Sequence, residues 1–241
     1  MKASVTLFLI GFRQVIKDGI LLILLPAPFL LGAILKMGLP IADCMVMTKF
    51  QFSLQPWYPL SDALVLTMTP MLMAMISSFL ILDERDEGIG AYYAITPASG
   101  QAYLIARIVF PMLWAFVFSI IVHQLFALSH YSFYAIISVA LIGTLQGVVT
   151  CMFLVALASN KVEGLALSKL VGIFALGFPV AWVINSPHKY FFGFLPSFWL
   201  GEIAYGAESL APSTLNVLSG ILCATIWILA LRKIFLQRAR L

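Results

Sequence analysis

Enzymatic and metal chemistry needs His, Cys, Asp, Glu, Lys or a nucleophilic hydroxyl at workable spacing, and this chain offers few such groupings. Its three histidines, His123, His130 and His188, share no metal-ligand spacing. Cys44, Cys151 and Cys223 form neither a metal pattern nor an evident disulfide pair. No H-E-x-x-H or G-x-S-x-G occurs. No G-x-x-x-x-G-K-[ST] phosphate loop occurs either, so this chain does not bind ATP in that way. An outer-face set of His130, His188, Glu202 and Glu208 is generic. What stands out is the run Asp83-Glu84-Arg85-Asp86-Glu87-Gly88. Its chemistry is positional: ion pairs and hydrogen bonds that place a loop, rather than bond-making.

The elements that hold this run are set by composition. Of 241 residues, 62% are hydrophobic and 10% charged, against roughly 45–50% and 25% in soluble domains. Mean hydropathy is +1.04. These values exclude a soluble domain, a disordered chain, a collagen and a disulfide-built secreted module. They describe an all-α integral membrane protein. A span takes about 20 apolar residues, so six or seven spans with short loops are expected to use the whole chain, with no length left for a separate soluble catalytic domain of ordinary size. The net charge of +4 then reads as membrane topology, not as nucleic-acid binding. Lys2 and the apolar stretch after it mimic a signal peptide, but Arg13, Gln14, Lys17 and Asp18 follow with no small-residue cleavage site.

The expected organisation is one transmembrane domain over 1–241. Residues 1–17 form an amphipathic surface helix, with Val5, Phe8, Leu9, Phe12 and Ile16 at helical spacing. Spans follow at 19–38, 63–82, 104–128, 132–158, 164–184 and 213–232. A first loop occupies 39–61, a charged loop 83–103, and a Pro- and aromatic-rich outer segment 185–212. Of the 14 Lys and Arg, only Lys36, Lys49 and Lys189 then fall on the side away from the termini. The positive-inside rule places both termini in the cytoplasm of a multi-pass cell-membrane protein. No Asp or Glu lies at mid-membrane, which disfavours a proton- or sodium-driven pump. His123 and Gln146 are the polar groups within the spans, expected to hydrogen-bond between helices or to the interface.

Between spans two and three, Gly88 and Gly90 permit a chain break. Ala91 to Ile95 can form a short helical turn, and Thr96-Pro97 stops it. The result is a short transverse helix carrying Ile89, Tyr92, Tyr93 and Ile95. Aromatic and aliphatic residues beside charges suit a protein interface; an interfacial loop touching lipid headgroups is the alternative. Arg107 follows in the next span. It is expected to pair with the acidic cluster at the membrane edge, a surface-level pair worth about 0–1 kcal/mol.

This stretch resembles the first cytoplasmic loop of ABC exporter permeases of the second exporter type, six-span proteins of the multidrug and fluoroquinolone-export kind. There an acidic-glycine element (E-x-E-x-G) precedes a coupling helix, and a T-P or L-P pair and a tyrosine or leucine lead to a basic residue of the next span. Glu84, Asp86 or Glu87, Gly88, Thr96, Pro97, Tyr103 and Arg107 match; Ile89 replaces the family's usual threonine, and Gly90 is an additional glycine. The stretch Phe194-Leu-Pro196-Ser-Phe198-Trp199-Leu-Gly-Glu202 is similar to that family's P-x-x-W element, part of a re-entrant hairpin entering from outside between spans five and six.

The resemblance implies a permease subunit, not an enzyme. It would bind no cofactor itself, with ATP and Mg on a separate ABC ATP-binding subunit. Glu84, Arg85, Asp86, Glu87 and Gly88 would place the loop and form salt bridges to that ATPase. Ile89, Gly90, Tyr92, Tyr93, Ile95, Thr96 and Pro97 would form the helix and pack in its groove. Pro196, Phe198, Trp199 and Glu202 would belong to an outer gate. One six-span chain supplies half a pathway, so a homodimer or a heterodimer with a similar permease within the lipid bilayer is implied. The GxxxG pair Gly143 and Gly147 supports close helix packing, and Gly172, Gly177 and Pro179 allow bending in the fifth span. The apolar spans favour an amphiphilic small molecule, peptide or lipid as cargo. The alternatives are an ATPase-independent membrane enzyme and a structural subunit of a larger membrane complex.

Overall fold

A computed structural model describes residues 2–89, 100–207 and 214–238. Every regular element among them is helical. Helix α1 is Lys2–Lys17, α2 Gly19–Leu24, α3 Ala27–Phe50 and α4 Tyr58–Asp86. Helix α5, Gly100–Leu104, runs through a π-helical turn, Ile105–Val109, into α6, Phe110–Phe126. Helix α7 is Phe133–Leu157. Three short helices follow: α8 Lys161–Ser168, α9 Val171–Phe174 and α10 Val180–Val183. A 3-10 stretch, Pro187–Phe194, leads to α11, Pro196–Tyr205, and α12, Thr214–Arg238, closes the chain.

Among the described residues, five helical segments are long and apolar enough to cross a membrane: Gly19–Phe50, Gln55–Asp86, Gln101–Phe126, Phe133–Leu157 and Thr214–Gln237. They are not equivalent. The apolar windows of α4 and α7 are each 72% buried, whereas those of the first and last segments are 17% and 28% buried. α4 and α7 therefore form the core pair, and α2–α3 and α12 present wide apolar faces outward. Such faces fit lipid, which solvates them without cost.

Three boundaries depart from the sequence reading. The first span breaks after Leu24, where Pro26 and Pro28 fall, and then continues to Phe50 instead of ending near 38. Residues 39–50 carry one proline and no glycine, so the helix runs on through Pro40. Gln51, left-handed at φ 53°, ends it. The tight return to α4 is held by Asp43, which accepts hydrogen bonds from the Leu54 amide at 2.6 Å and from Ser53 Oγ. The second helix also outlasts its expected end at 82, carrying Asp83 to Asp86 within the helix.

The third difference is residues 161–184, which form α8, α9 and α10 instead of one rod. Gly177 and Pro179 set the break, since neither favours a continuous helix. The unwound backbone lies against α11. A Cβ on Gly177 would stand 2.8 Å from the Phe198 amide nitrogen, and one on Gly201 would stand 2.2 Å from the Phe178 carbonyl oxygen. Only glycine at both positions permits that approach. Local bonds such as Phe178 N–H to Ala175 O at 3.0 Å recover the freed polar groups.

The core pair closes on glycine too. A Cβ on Gly147 would meet the Pro70 carbonyl oxygen at 2.9 Å and Met112 Sδ at 3.1 Å, while Gly143 faces Thr67 and Pro70 at ordinary contact distances or slightly closer. The GxxxG pair thus seats α7 on α4 within one chain. Gly147→Val is expected to cost about 1–3 kcal/mol through overpacking, and Gly143→Ala distinctly less. Thermal unfolding in detergent checks the order; equal effects would refute this packing.

Candidate functional site

The charged run sits at one end of the core pair, and its side chains diverge. Glu84 points inward and is 3% exposed; Arg107, on the π-helical turn, is 1% exposed. The Glu84 carboxylate accepts from Arg107 Nε at 3.1 Å, from Arg107 Nη2, and from the Tyr103 hydroxyl at 2.8 Å. Arg107 Nη1 donates to the Leu7 carbonyl oxygen of α1 at 2.8 Å, and the guanidinium lies 5.8 Å from the Tyr103 ring centre. This junction joins α1, α4 and the α5–α6 rod.

Two local features make it possible. The π turn interrupts the regular ladder around Arg107; such turns recur at functional positions. On α1, Gly11 leaves room for the guanidinium, since a Cβ there would stand 2.0 Å from Arg107 Nη1. Helix α1 buries Ser4, Leu7, Gly11 and Val15 along one face, while Val5, Leu9, Phe12 and Ile16 stay exposed.

The expected surface-level pairing of Arg107 needs correction. Its partner is Glu84, and the pair is dry. The reason is geometric: α4 continues past residue 82, so Glu84 is a helical residue on the face that meets Arg107. A buried pair follows different energetics, because loss of one partner strands a charge. Glu84 is likewise buried within this chain.

Of the other members of the run, Arg85 holds the far end of α7, and Asp83 and Asp86 hold Lys161 at the start of α8. Arg85 donates to the Val155 and Ala158 carbonyl oxygens, satisfying groups that a helix terminus leaves open. Asp86 accepts from the Lys161 amide at 2.9 Å. Lys161 Nζ pairs with Asp18 at 2.6 Å and Asp83 at 3.2 Å. Asp18 also caps α2, accepting from the Ile20 and Leu21 amides. Glu87 and Gly88 are exposed, Gly88 is left-handed at φ 70°, and Ile89 is half-buried. Gly90, Tyr92, Tyr93, Ile95, Thr96 and Pro97 lie outside the described residues.

Lys161 and Asp18 escaped the sequence reading, although Asn160-x-x-Glu163 signals a helix start. Glu163 N–H bonds Asn160 Oδ1 at 2.8 Å, and the Glu163 carboxylate accepts from the Ser159 amide. The hydrogen bond from Lys161 holds the Asp18 carboxyl below its ordinary range. Burial pushes Lys161 down, but the hydrogen bonds of Asp18 and Asp83 outweigh it and hold it above its ordinary range.

The opposite end is organised by Asp62, which is buried. It accepts from the Leu128 amide at 3.0 Å, from the Ser129 amide at 2.7 Å and from Ser129 Oγ, closing the α6–α7 turn. His123 is buried with its ring 5.2 Å from Tyr131, and neither ring nitrogen has a hydrogen-bond partner; the expected interhelical bond is not made. Pro196 opens α11 and Phe198 is fully buried. Trp199 Nε1 donates to Gly193 O at 2.8 Å, and Trp227 Nε1 of α12 donates to Phe194 O at 2.8 Å. Glu202 pairs with Lys189 at 2.7 Å.

Two outcomes follow. Glu84→Met alone or Arg107→Met alone is expected to cost about 3–5 kcal/mol, and the double variant to recover most of it. A double variant as unstable as the singles, by thermal unfolding in detergent, would refute the dry pair. Lys161→Met is expected to lower stability by about 0–1 kcal/mol between pH 6 and 9. The Asp18 contribution is present above its unfolded-state pKa and fades as pH falls through the lowered folded-state value. The Lys161 contribution is complete below its unfolded-state pKa and fades as pH rises through the raised one. The parent–variant difference therefore shrinks below about pH 4 and above about pH 10.5.

Residues 11–232 match the model of the family described as Rv2686c-like, fluoroquinolones export permease protein Rv2686c-like. Two curated relatives, the fluoroquinolones export permease proteins Rv2686c and MT2760 of Mycobacterium tuberculosis strains, are each 26% identical over 199 residues. The alignment covers 81% of this chain and 79% of each relative. With its apolar helices and family match spanning nearly the whole chain, this protein is a multi-pass membrane permease belonging to the Rv2686c-like fluoroquinolone export permease family.

Proposed function

We propose that the chain is the membrane-spanning subunit of an ATP-driven exporter, moving a flat amphiphilic small molecule of the fluoroquinolone class outward with energy from a separate ABC ATP-binding subunit. The observation that carries this reading is the buried Glu84–Arg107 junction, whose two partners lie on either side of residues 90–99 along the chain. It ties both flanks of that segment, and α1, into one unit. A push on the segment is then transmitted as a rigid-body motion. The exposed Glu87, Gly88 and neighbouring Ile89 supply the approach to the ATPase, whereas Glu84 and Arg85 act inside the chain.

The topology completes the reading. Residues 164–184 form a sixth, broken crossing: the chain enters it just after Lys161, which meets Asp83 and Asp86, and Phe178 packs in the cluster containing Ala63 and Leu66, near the other end of α4. The 3-10 stretch and α11 form a re-entrant outer hairpin. Its turn at Phe194 is anchored to Trp227, as backbone at that depth requires. Pro196, Phe198, Trp199 and Glu202 belong to the outer gate. Helix α1 lies on the cytoplasmic surface with Phe12 and Ile16 toward lipid, and both termini are cytoplasmic. A second copy or a similar sister permease completes the pathway.

The test is a pull-down of the chain from solubilised membranes with ATPase activity assayed in the eluate. An ATP-binding subunit is expected with the parent and is expected to be lost when Tyr92, Tyr93 and Ile95 are all changed to Glu. Absence of any ATPase partner with the parent, in complexes otherwise intact, would overturn the proposal in favour of a structural or enzymatic role.

A further inference from the structure

The end of the bundle opposite the acidic run holds a titratable pair. His123, in the last turn of α6, is 2% exposed, and neither Nδ1 nor Nε2 has a hydrogen-bond partner. Buried polar side chains are seldom left so. The ring stands 5.2 Å from the Tyr131 ring, and the Tyr131 hydroxyl donates to the Pro59 carbonyl oxygen. The His123 carbonyl oxygen accepts from the Ala127 amide at 2.8 Å. The next two amides along the chain, Leu128 and Ser129, belong to Asp62, which is 1% exposed. Imidazole and carboxylate therefore meet the same short turn, and the Asp62 charge bears on the ring.

Asp62 has no acceptor capacity to spare. Oδ1 accepts from the Leu128 amide, and Oδ2 from the Leu128 amide, the Ser129 amide and Ser129 Oγ. A carboxylate offers about four such sites. The other charged and titratable groups of the elements around α6 are committed elsewhere, among the described residues. On α3, Lys36 donates to the Leu125 carbonyl oxygen at 2.7 Å, and Asp43 serves Ser53 and Leu54. On α4, Tyr58 is the only other titratable residue before Asp83, and α7 carries Tyr134 and Cys151. His130 in the turn is exposed, and Glu202 of α11 is paired with Lys189. Asp62 is thus the carboxylate available to His123.

We propose that His123 and Asp62 form a proton-operated latch on the α6–α7 turn. With His123 neutral, Asp62 holds the Leu128 and Ser129 amides and the turn is closed. A proton taken from solvent onto a ring nitrogen creates a cation in a dry site, which needs a counter-charge. Asp62 supplies it only by giving up donors of the turn, so the α6–α7 connection loosens. Exchange of partners by a protonated histidine is a recurrent basis of pH-dependent switching. The latch needs neither cargo nor a partner subunit, and it stands apart from the export reading.

The experiment is hydrogen exchange by mass spectrometry on the purified full chain in detergent. Peptides covering residues 127–132 are followed at about pH 7.5 and about pH 5, on either side of the ordinary imidazole range. Rates are corrected for the intrinsic pH dependence of amide exchange. Protection of the Leu128 and Ser129 amides in the parent is expected to fall about tenfold or more at the lower pH, as bonds to a charged acceptor are lost. His123→Gln, which takes up no proton, is expected to keep the protection at both pH values. His123→Phe, which retains a ring against Tyr131, is expected to do the same. Asp62→Asn is expected to be poorly protected at both, and His130→Gln to behave as the parent. Parent protection that does not change with pH would overturn the latch, as would a pH effect that survives in both His123 variants. Full protection in Asp62→Asn would overturn the role of Asp62 in closing the turn.

Discussion

An arginine and a glutamate held away from water in an apolar bundle constrain everything near them. Neither can stand alone there: an isolated ion would be neutralised, drawn out to water, or would unfold its surroundings. Arg107 is 1% exposed, so its position dictates several others. Glu84 must face it, which requires α4 to remain helical past the apolar stretch. Tyr103 must supply a hydroxyl to the remaining carboxylate oxygen capacity. Leu7 must present a carbonyl that a helix would otherwise share only with its own backbone, and Gly11 must lack a side chain. One ion pair thereby fixes the contact of three helices distant in sequence.

The second charged layer works differently. Lys161, Asp18, Asp83 and Asp86 are partly exposed and individually weak, yet they connect the α1–α2 junction, the end of α4 and the start of α8. Arg85 adds the end of α7. The acidic run therefore bonds Lys161, Arg107, Tyr103 and the Val155 and Ala158 carbonyl oxygens inside its own chain, with Glu87 left exposed. Its density of charge reflects the number of backbone termini and helices that converge at that level, since each presents open N–H or C=O groups.

Much of this was legible beforehand and some was not, for physical reasons. Hydropathy showed helices and a membrane, because 20-residue apolar runs have few other solutions. It did not show that α3 reaches Phe50, since Asp43 and Lys49 read as loop residues although one accepts loop hydrogen bonds and the other sits in the final turn. Gly177 and Pro179 signalled bending in 164–184, but a full break depends on α11 coming close enough to cover the opened backbone. The pairing of Arg107 with the acidic run was readable from chemistry. Its burial was not, because burial is decided by α1, whose small residue at Gly11 carries no hint of a guanidinium one hundred positions away. The family match supplies the permease assignment, which no residue pattern short of the 83–108 stretch approached.

The buried pair also sets the character of the space beside it. Arg107 forms part of the wall of an apolar cavity of about 530 Å³, and α1, α3, α4 and α6 form the rest. Were Glu84 absent, that wall would carry an uncompensated cation in low dielectric and would select anions strongly. With Glu84 in place that wall is electrostatically quiet. The same carboxylate lies near the C-terminal end of α4, three residues before the exposed Glu87. Glu84 and Tyr103 bond to each other, Glu84 bonds Arg107, and Arg107 bonds the Leu7 carbonyl oxygen of α1. Packed helices joined by a directional, dry ion pair move together or separate at a cost of several kcal/mol, so the wall of the cavity is mechanically continuous with the loop that carries the charge.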